Sequence, residues 1–153
     1  MVKKKLFDKC VGLLEESGLG ENAFCEVTWV FEDVAEGEDI TPEQEKRISD
    51  IVTRRCEGYP LQYLLGQWEF YGLPFKVGEG VLIPRQDTET IVDTALKMFA
   101  GKKDITVIDL CSGSGCIGIT LERKLDCGRA VCVEKSEKAA EYLRDNISLN
   151  GSG

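Results

Sequence analysis

The chain has 153 residues, a formal net charge of −8, seven cysteines and no histidine. The length admits a substantial core, and the acidic balance argues against phosphate-backbone contacts, so no direct nucleic-acid binding is expected. Without histidine, Ser-His-Asp and Cys-His chemistry are excluded within the chain, and the cysteines at 10, 25, 56, 111, 116, 127 and 132 form no Cys-x-x-Cys pair, so no metal site is expected.

Lys3-Lys4-Lys5 leads into an acidic amphipathic stretch, which is not the apolar core of a signal peptide. No apolar run approaches a membrane span, and an odd set of free thiols suits a reducing compartment, so a cytoplasmic protein is expected. Leu6, Phe7, Cys10, Val11, Leu13 and Leu14 recur at helical spacing, and Gly18 is a natural stop. A second helix is predicted over residues 22–36, with Ala23, Val27, Val30, Phe31 and Val34 on one face. Thr41-Pro42-Glu43-Gln44 starts a third: Thr41 caps, Pro42 suits the first helical position, and Gln44 completes a capping box. Ile48, Ile51, Val52 and Cys56 form its buried face, and Gly58-Tyr59-Pro60 ends it. Residues 60–66 add a further helical turn through Leu61, Leu64 and Leu65. The first domain is therefore helical and spans residues 1–66, its charges forming a solvated face.

Residues 67–84 read as a β-hairpin connection, in which aromatic and β-branched residues flank a Gly72-Leu73-Pro74 turn. Trp68, Phe70 and Phe75 are expected to pack the hairpin. Gln86-Asp87-Thr88-Glu89-Thr90 then opens a helix with acids in its first turn, and Ile91, Val92, Ala95, Leu96 and Phe99 give it a buried stripe. Residues 105–110 form an apolar strand of the parallel-sheet kind. Ile117, Ile119 and Leu121 continue a helix beyond a glycine turn, and residues 130–133 form a second strand. Ser136 caps a last helix carrying Ala140, Leu143 and Ile147. The order β-α-β-α over residues 85–153 indicates an α/β sheet.

Gly113-Ser114-Gly115-Cys116-Ile117-Gly118 satisfies Gly-x-Gly-x-x-Gly between a strand and a helix, with Glu134 following 19 positions beyond Gly115. An acid at the end of the second strand can accept hydrogen bonds from both hydroxyls of an adenosine ribose. Two cofactor classes compete, and Asp109 separates them. A carboxylate at the strand end orients the turn and faces the cationic amino-acid part of S-adenosyl-L-methionine, whereas it repels a pyrophosphate. S-adenosylmethionine is the expected cofactor, and a dinucleotide-dependent oxidoreductase requires Asp109 to be incidental.

Four stretches carry a family resemblance: Gln62-Tyr63-Leu64-Leu65-Gly66, the run Trp68 to Val77, Leu82-Ile83-Pro84-Arg85-x-Asp87-Thr88-Glu89-Thr90, and Asp109-Leu110-x-x-Gly113-Ser114-Gly115-Cys116-Ile117. Together they resemble the HemK/PrmC family, the N5-glutamine methyltransferases that modify the Gly-Gly-Gln loop of peptide chain release factors. The fold implied is an N-terminal helical bundle, a β-hairpin, and the first part of a Rossmann-like S-adenosylmethionine-dependent methyltransferase sheet. The resemblance implies cofactor contacts at Asp109, Cys111, Ser112, Gly113, Ser114, Gly115 and Glu134. It suggests Thr88 as a further contact with Arg85 nearby, although Thr88 also suits a helix start and Arg85 an ion pair. It makes the helical domain a grip on the release factor.

Three positions depart from the family pattern: Cys111 stands for a usual Gly, Gln86 for a usual Pro, and Glu134 for a usual Asp. The family's Asn-Pro-Pro-Tyr motif, which holds the substrate amide, occurs nowhere in the sequence. Catalytic residues are therefore expected beyond the chain's end, the chain is read as an inactive part of the enzyme, and the first strand is expected to keep an unpaired edge. A non-catalytic release-factor or protein binding module is one alternative. A related methyltransferase acting on another amide or an exocyclic amine is the other.

Overall fold

The computed structural model describes residues 3–35, 37 and 39–152. The chain divides into two compact units, Met1–Leu65 and Gly66–Gly153.

The regular elements of the first unit are helices: α1 (Lys3–Glu16), a 3₁₀ turn (Gly20–Asn22), α2 (Ala23–Val34), α3 (Pro42–Cys56) and a short α4 (Leu61–Leu65). Residues three and four apart fall on one helix face. Leu6, Cys10 and Leu14 of α1 accordingly meet Ala23, Val27, Val30 and Phe31 of α2, with Ile48, Ile51 and Val52 of α3 closing the core. Leu13 does not join them; it lies beside the stripe and is exposed. The second helix begins at Ala23, after the 3₁₀ turn, and the expected end at Glu36 lies outside the described residues. The capping box of α3 forms in both directions. The Gln44 N–H donates to Thr41 Oγ1 at 3.2 Å, and the Thr41 N–H donates to Gln44 Oε1 at 2.9 Å.

A charged pair sits between α2 and α3. The Arg55 guanidinium grips Glu26 through Nε at 2.6 Å and an Nη at 3.0 Å, with side-chain exposures of 18% and 11%. Such low exposure requires each charge to have its partner.

In the second unit, β1 (Gln67–Phe70) and β2 (Leu73–Lys76) form an antiparallel hairpin. Its turn is Tyr71-Gly72, with φ of 53° and 75°, and not the expected Gly72-Leu73-Pro74. A two-residue turn of type I′, whose twist matches the strands, has positive φ at both central positions. Leu73 and Pro74 are strand residues, and Pro74 faces Glu69. Next to the closing pair Phe70–Leu73, the antiparallel alternation makes this a position that needs no ladder N–H, which is what proline lacks. Tyr71 tolerates its backbone because both its ends are held. Its N–H donates to Glu89 Oε1 at 2.8 Å, and its hydroxyl donates to Asp93 Oδ1 at 2.7 Å.

Those two acids belong to α5 (Glu89–Phe99), which follows a 3₁₀ turn (Gln86–Thr88). The strand β3 (Ile105–Leu110) then pairs in parallel with β4 (Cys127–Val133), and α6 (Cys116–Lys124) forms the crossover. The last element is α7 (Glu137–Leu149), capped by Ser136 Oγ, which accepts the Ala139 N–H. Phe70 and Phe75 pack edge to face at 6.2 Å and join Val92, Ile119 and Leu143 in one core. The expected stripe on α5 is only partly buried: Val92 is enclosed, while Ile91 is exposed. Among the described residues β3 pairs with β4 alone, and Ile108, Leu110 and Val133 project from one face at 63%, 69% and 47% exposure. No described helix is long and apolar enough to cross a membrane.

Replacing Arg55 with Leu is expected to destabilise the helical unit by about 1.5–3 kcal/mol in urea unfolding, because Glu26 loses its charged hydrogen bonds while remaining buried. Leaving the unfolding midpoint unchanged would show that the pair contributes nothing.

Candidate functional site

Parallel pairing of β3 with β4 brings the C-terminal ends of both strands together, and with them Asp109 and Glu134. Between β3 and α6 lies the turn of residues 111–115. Its Ser112 N–H donates to Val133 O at 3.1 Å, extending the ladder by one bond. Both Glu134 oxygens then hold backbone: Oε2 accepts the Gly113 N–H and Oε1 accepts the Ser136 N–H, each at 2.8 Å. The N–H of Ser136, followed by that of Gly113, draws the Glu134 carboxyl below its ordinary value.

Asp109 acts on the other side of the turn. Its Oδ2 accepts the Gly118 N–H at 2.9 Å. The residue capping α6 is Gly115, which has no side chain to satisfy the first-turn donors, so a carboxylate from the strand supplies the cap. Burial pushes Asp109 above the ordinary aspartate value despite the Gly118 bond, and the charge of Glu134 adds to the rise.

Close packing dictates two of the glycines. A Cβ at Gly115 would stand 2.5 Å from Leu143 Cδ1, and one at Gly118 would stand 2.7 Å from Cys132 Sγ and 3.0 Å from Asp109 Oδ2. Gly113 is different. It has φ +57°, yet nothing beyond its chain neighbours lies within 4 Å of where its Cβ would be. The turn is therefore tight against the protein on its α6 side and open at Gly113. Cys111 adopts φ 60° and is exposed, which explains why glycine suits that position.

The structure thus brings together Asp109, Cys111, Ser112, Gly113, Ser114, Gly115 and Glu134. It does not bond Thr88 or Arg85 to them. The Thr88 hydroxyl donates to Asp87 Oδ1 at 3.3 Å, and exposed Arg85 has no side-chain partner among the described residues. In the same segment Glu89 proves structural, because it holds the hairpin turn. Sequence reasoning missed Asn146, a fully buried residue of α7 whose Nδ2 donates to Ser114 O at 2.9 Å. The signal available was a polar residue inside the apolar stripe of Leu143 and Ile147.

Several N–H groups of the turn and of the start of α6 are bonded within the protein. Gly113 donates to Glu134, Gly115 to Ser112 O at 2.8 Å, Gly118 to Asp109 and Ile119 to Gly115 O. Two carboxylates at the same strand ends repel an anion. The site also keeps acceptor capacity. Each carboxylate offers about four lone-pair positions, of which Glu134 uses two for backbone and Asp109 one. Such a site suits a diol and a cation.

Comparison with known proteins agrees on both units. The PrmC N-terminal domain model matches residues 25–66, and a lysine methyltransferase model matches residues 86–153. The chain is 35% identical over 156 residues to a release factor glutamine methyltransferase of Fusobacterium nucleatum, a match covering 95% of the chain and 44% of that relative. A namesake from Geobacter sulfurreducens is 37% identical over 160 residues, covering 97% of the chain and 55% of the relative. The chain belongs to the HemK/PrmC family. It spans about half the length of the curated relatives it matches. For a HemK/PrmC chain, the turn between β3 and α6 is thus placed in a methyltransferase half, and the helical unit in the family's N-terminal domain.

Substitution should separate the two kinds of glycine. Gly118→Ala is expected to cost about 1–3 kcal/mol through overpacking against Cys132 and Asp109. Gly113→Ala, with open space but a left-handed backbone, is expected to cost about 1–2 kcal/mol from strain alone. Cys111→Gly relieves strain of that same size and is expected to be neutral or stabilising. Urea unfolding of the three variants checks all of them, and destabilisation by Cys111→Gly would contradict the strained backbone.

Proposed function

We propose that the turn of residues 111–115, with Asp109 and Glu134, binds S-adenosyl-L-methionine, and that it serves an enzyme that methylates the N5 nitrogen of the glutamine in the Gly-Gly-Gln loop of a peptide chain release factor. The observation that carries the cofactor reading is the pair of carboxylates at the two strand ends. Each bonds backbone N–H groups beside the turn and keeps free lone pairs. Glu134 is the acceptor for the ribose hydroxyls, and its bonds to Gly113 and Ser136 fix its orientation before any ligand arrives. Asp109, caught between burial and the field of Glu134, gains from a nearby positive charge. Gly113 lets the backbone approach the ligand. The roles of Thr88 and Arg85 at the cofactor rest on the family resemblance alone.

The cofactor, when bound, supplies a methyl group on a sulfonium, open to in-line displacement. The protein's part is alignment and the exclusion of water, because no proton has to be moved to activate the methyl donor. The release factor as substrate is supported by the names of the relatives, which are release factor glutamine methyltransferases. The lysine methyltransferase match agrees on the class of reaction and differs on the acceptor. A cytoplasmic location follows from that substrate. No Asn-Pro-Pro-Tyr run occurs in the sequence, so the 153-residue chain on its own is expected to bind cofactor without methylating a release factor. Detectable transfer by the purified chain would overturn that part.

Calorimetric titration with S-adenosylmethionine, with NAD as control, is expected to show saturable binding of the first alone; binding of NAD alone would overturn the cofactor assignment. The affinity should also depend on pH. Asp109 starts above its ordinary value and a cationic ligand favours its ionised form, so binding releases a proton. Affinity is therefore expected to be greatest above the raised Asp109 value and to fall as pH drops through it. Glu134 is held ionised across that window by its backbone bonds. Asp109→Asn should weaken binding and flatten the pH dependence, and an unchanged slope would remove Asp109 from the ligand's field.

A further inference from the structure

The hairpin and the glycine turn come from distant parts of the sequence, and one buried side chain joins them. Asn146 has no exposed surface. Its Oδ1 accepts the Lys76 N–H at 2.6 Å, while its Nδ2 donates to Lys76 O at 3.1 Å and to Ser114 O at 2.9 Å. One helical turn later, Asn150 Nδ2 donates to Pro74 O at 2.9 Å. Four residues of helix advance about 6 Å, and two residues of strand advance about 6.7 Å. An asparagine pair spaced i, i+4 therefore matches alternate residues on the outer edge of β2. On that edge α7 takes the place of a third strand, and the second amide proton of Asn146 is left to hold the carbonyl between Gly113 and Gly115.

We propose that Asn146 is a positioning residue: by reading the backbone of Lys76 and Ser114 at once, it makes the order of the glycine turn depend on the seating of the hairpin against α7. Packing points the same way, since Gly115 lies against Leu143 on the same helix. The hairpin and the turn then open as one unit. A consequence for cofactor affinity rests on the reading of the turn as the S-adenosylmethionine site, whereas the order of the turn does not.

Native-state hydrogen exchange on the 153-residue chain without ligand tests the coupling directly. The amides of Lys76 and Gly115 are expected to share one sub-global opening, with the same free energy and denaturant dependence. Separate openings, or exchange of both only through global unfolding, would overturn the proposal. Asn146→Asp keeps the volume and the acceptor for Lys76 but sets an oxygen against two carbonyls. It is expected to speed exchange of the Gly113 and Gly115 amides by about tenfold or more, beyond any change in the helical unit. S-adenosylmethionine affinity should fall by a similar factor at a temperature where the variant is fully folded. Asn150→Ala removes the Pro74 bond and spares Ser114, so it should leave the Gly115 amide within about threefold. Equal acceleration by both variants, or uniform acceleration across the chain, would reduce Asn146 to an ordinary buried polar group. If Asn146→Asp fails to fold, the wild-type exchange pattern decides. Shared opening in a wild-type chain that binds no S-adenosylmethionine would sink the cofactor reading and leave the positioning role standing.

Discussion

A two-stranded hairpin has an outer backbone edge that must find partners, and an isolated hairpin is marginal in water. In this chain the edge of β2 is satisfied by side chains of a helix, chiefly the carboxamide of Asn146. A buried amide with too few partners costs more than it contributes, so the position of α7 is tied to Lys76 and Ser114 together. From that constraint the neighbouring geometry follows. The hairpin turn is held on the opposite side by Glu89 and Asp93 of α5, and Phe70 and Phe75 are directed into the core between α5, α6 and α7. The hairpin is a brace for the glycine turn.

The turn itself is held by two acids. Glu134 and Asp109 each come from the end of a parallel strand and each takes a backbone N–H of the segment leading into α6. Two acids so close ordinarily repel, and they resolve the conflict differently. Glu134 is drawn down by its two N–H bonds, whereas Asp109 is pushed up chiefly by burial, with the charge of Glu134 adding to the rise. A cation placed between them relieves that repulsion; an anion increases it. The same carboxylates that fold the turn thus make its surroundings more favourable to a cation than to an anion.

The family pattern gains physical content from this arrangement. Cys111 sits in left-handed backbone, which is why glycine is the natural occupant there. Glu89, inside one of the four stretches that carry the resemblance, holds the hairpin turn. Part of that stretch is therefore architecture. Residues 86–153 match a lysine methyltransferase model while the relatives are named for glutamine, which fits a shared cofactor half joined to different acceptor machinery.

Much was legible in the sequence by itself. The helical periodicity of α1 to α3, the capping box at Thr41, the parallel strand at Ile105 and the turn at Gly113 are local properties, set by spacing, cap chemistry and the absence of a Cβ. The two acids were readable for the same reason, because strand ends and a glycine turn fix what stands beside them. The tertiary structure alone decided the rest. The hairpin turned at Tyr71-Gly72 because Glu89 and Asp93 were there to hold a tyrosine with positive φ. Ile91 and Leu13 stayed exposed because burial depends on what lies opposite a face, and periodicity names only the face. Asn146 was invisible because its value lies in two carbonyls and an N–H from segments 32 and 70 residues away. Long-range hydrogen bonds leave no period in a sequence; only the folded backbone brings their partners within 3 Å.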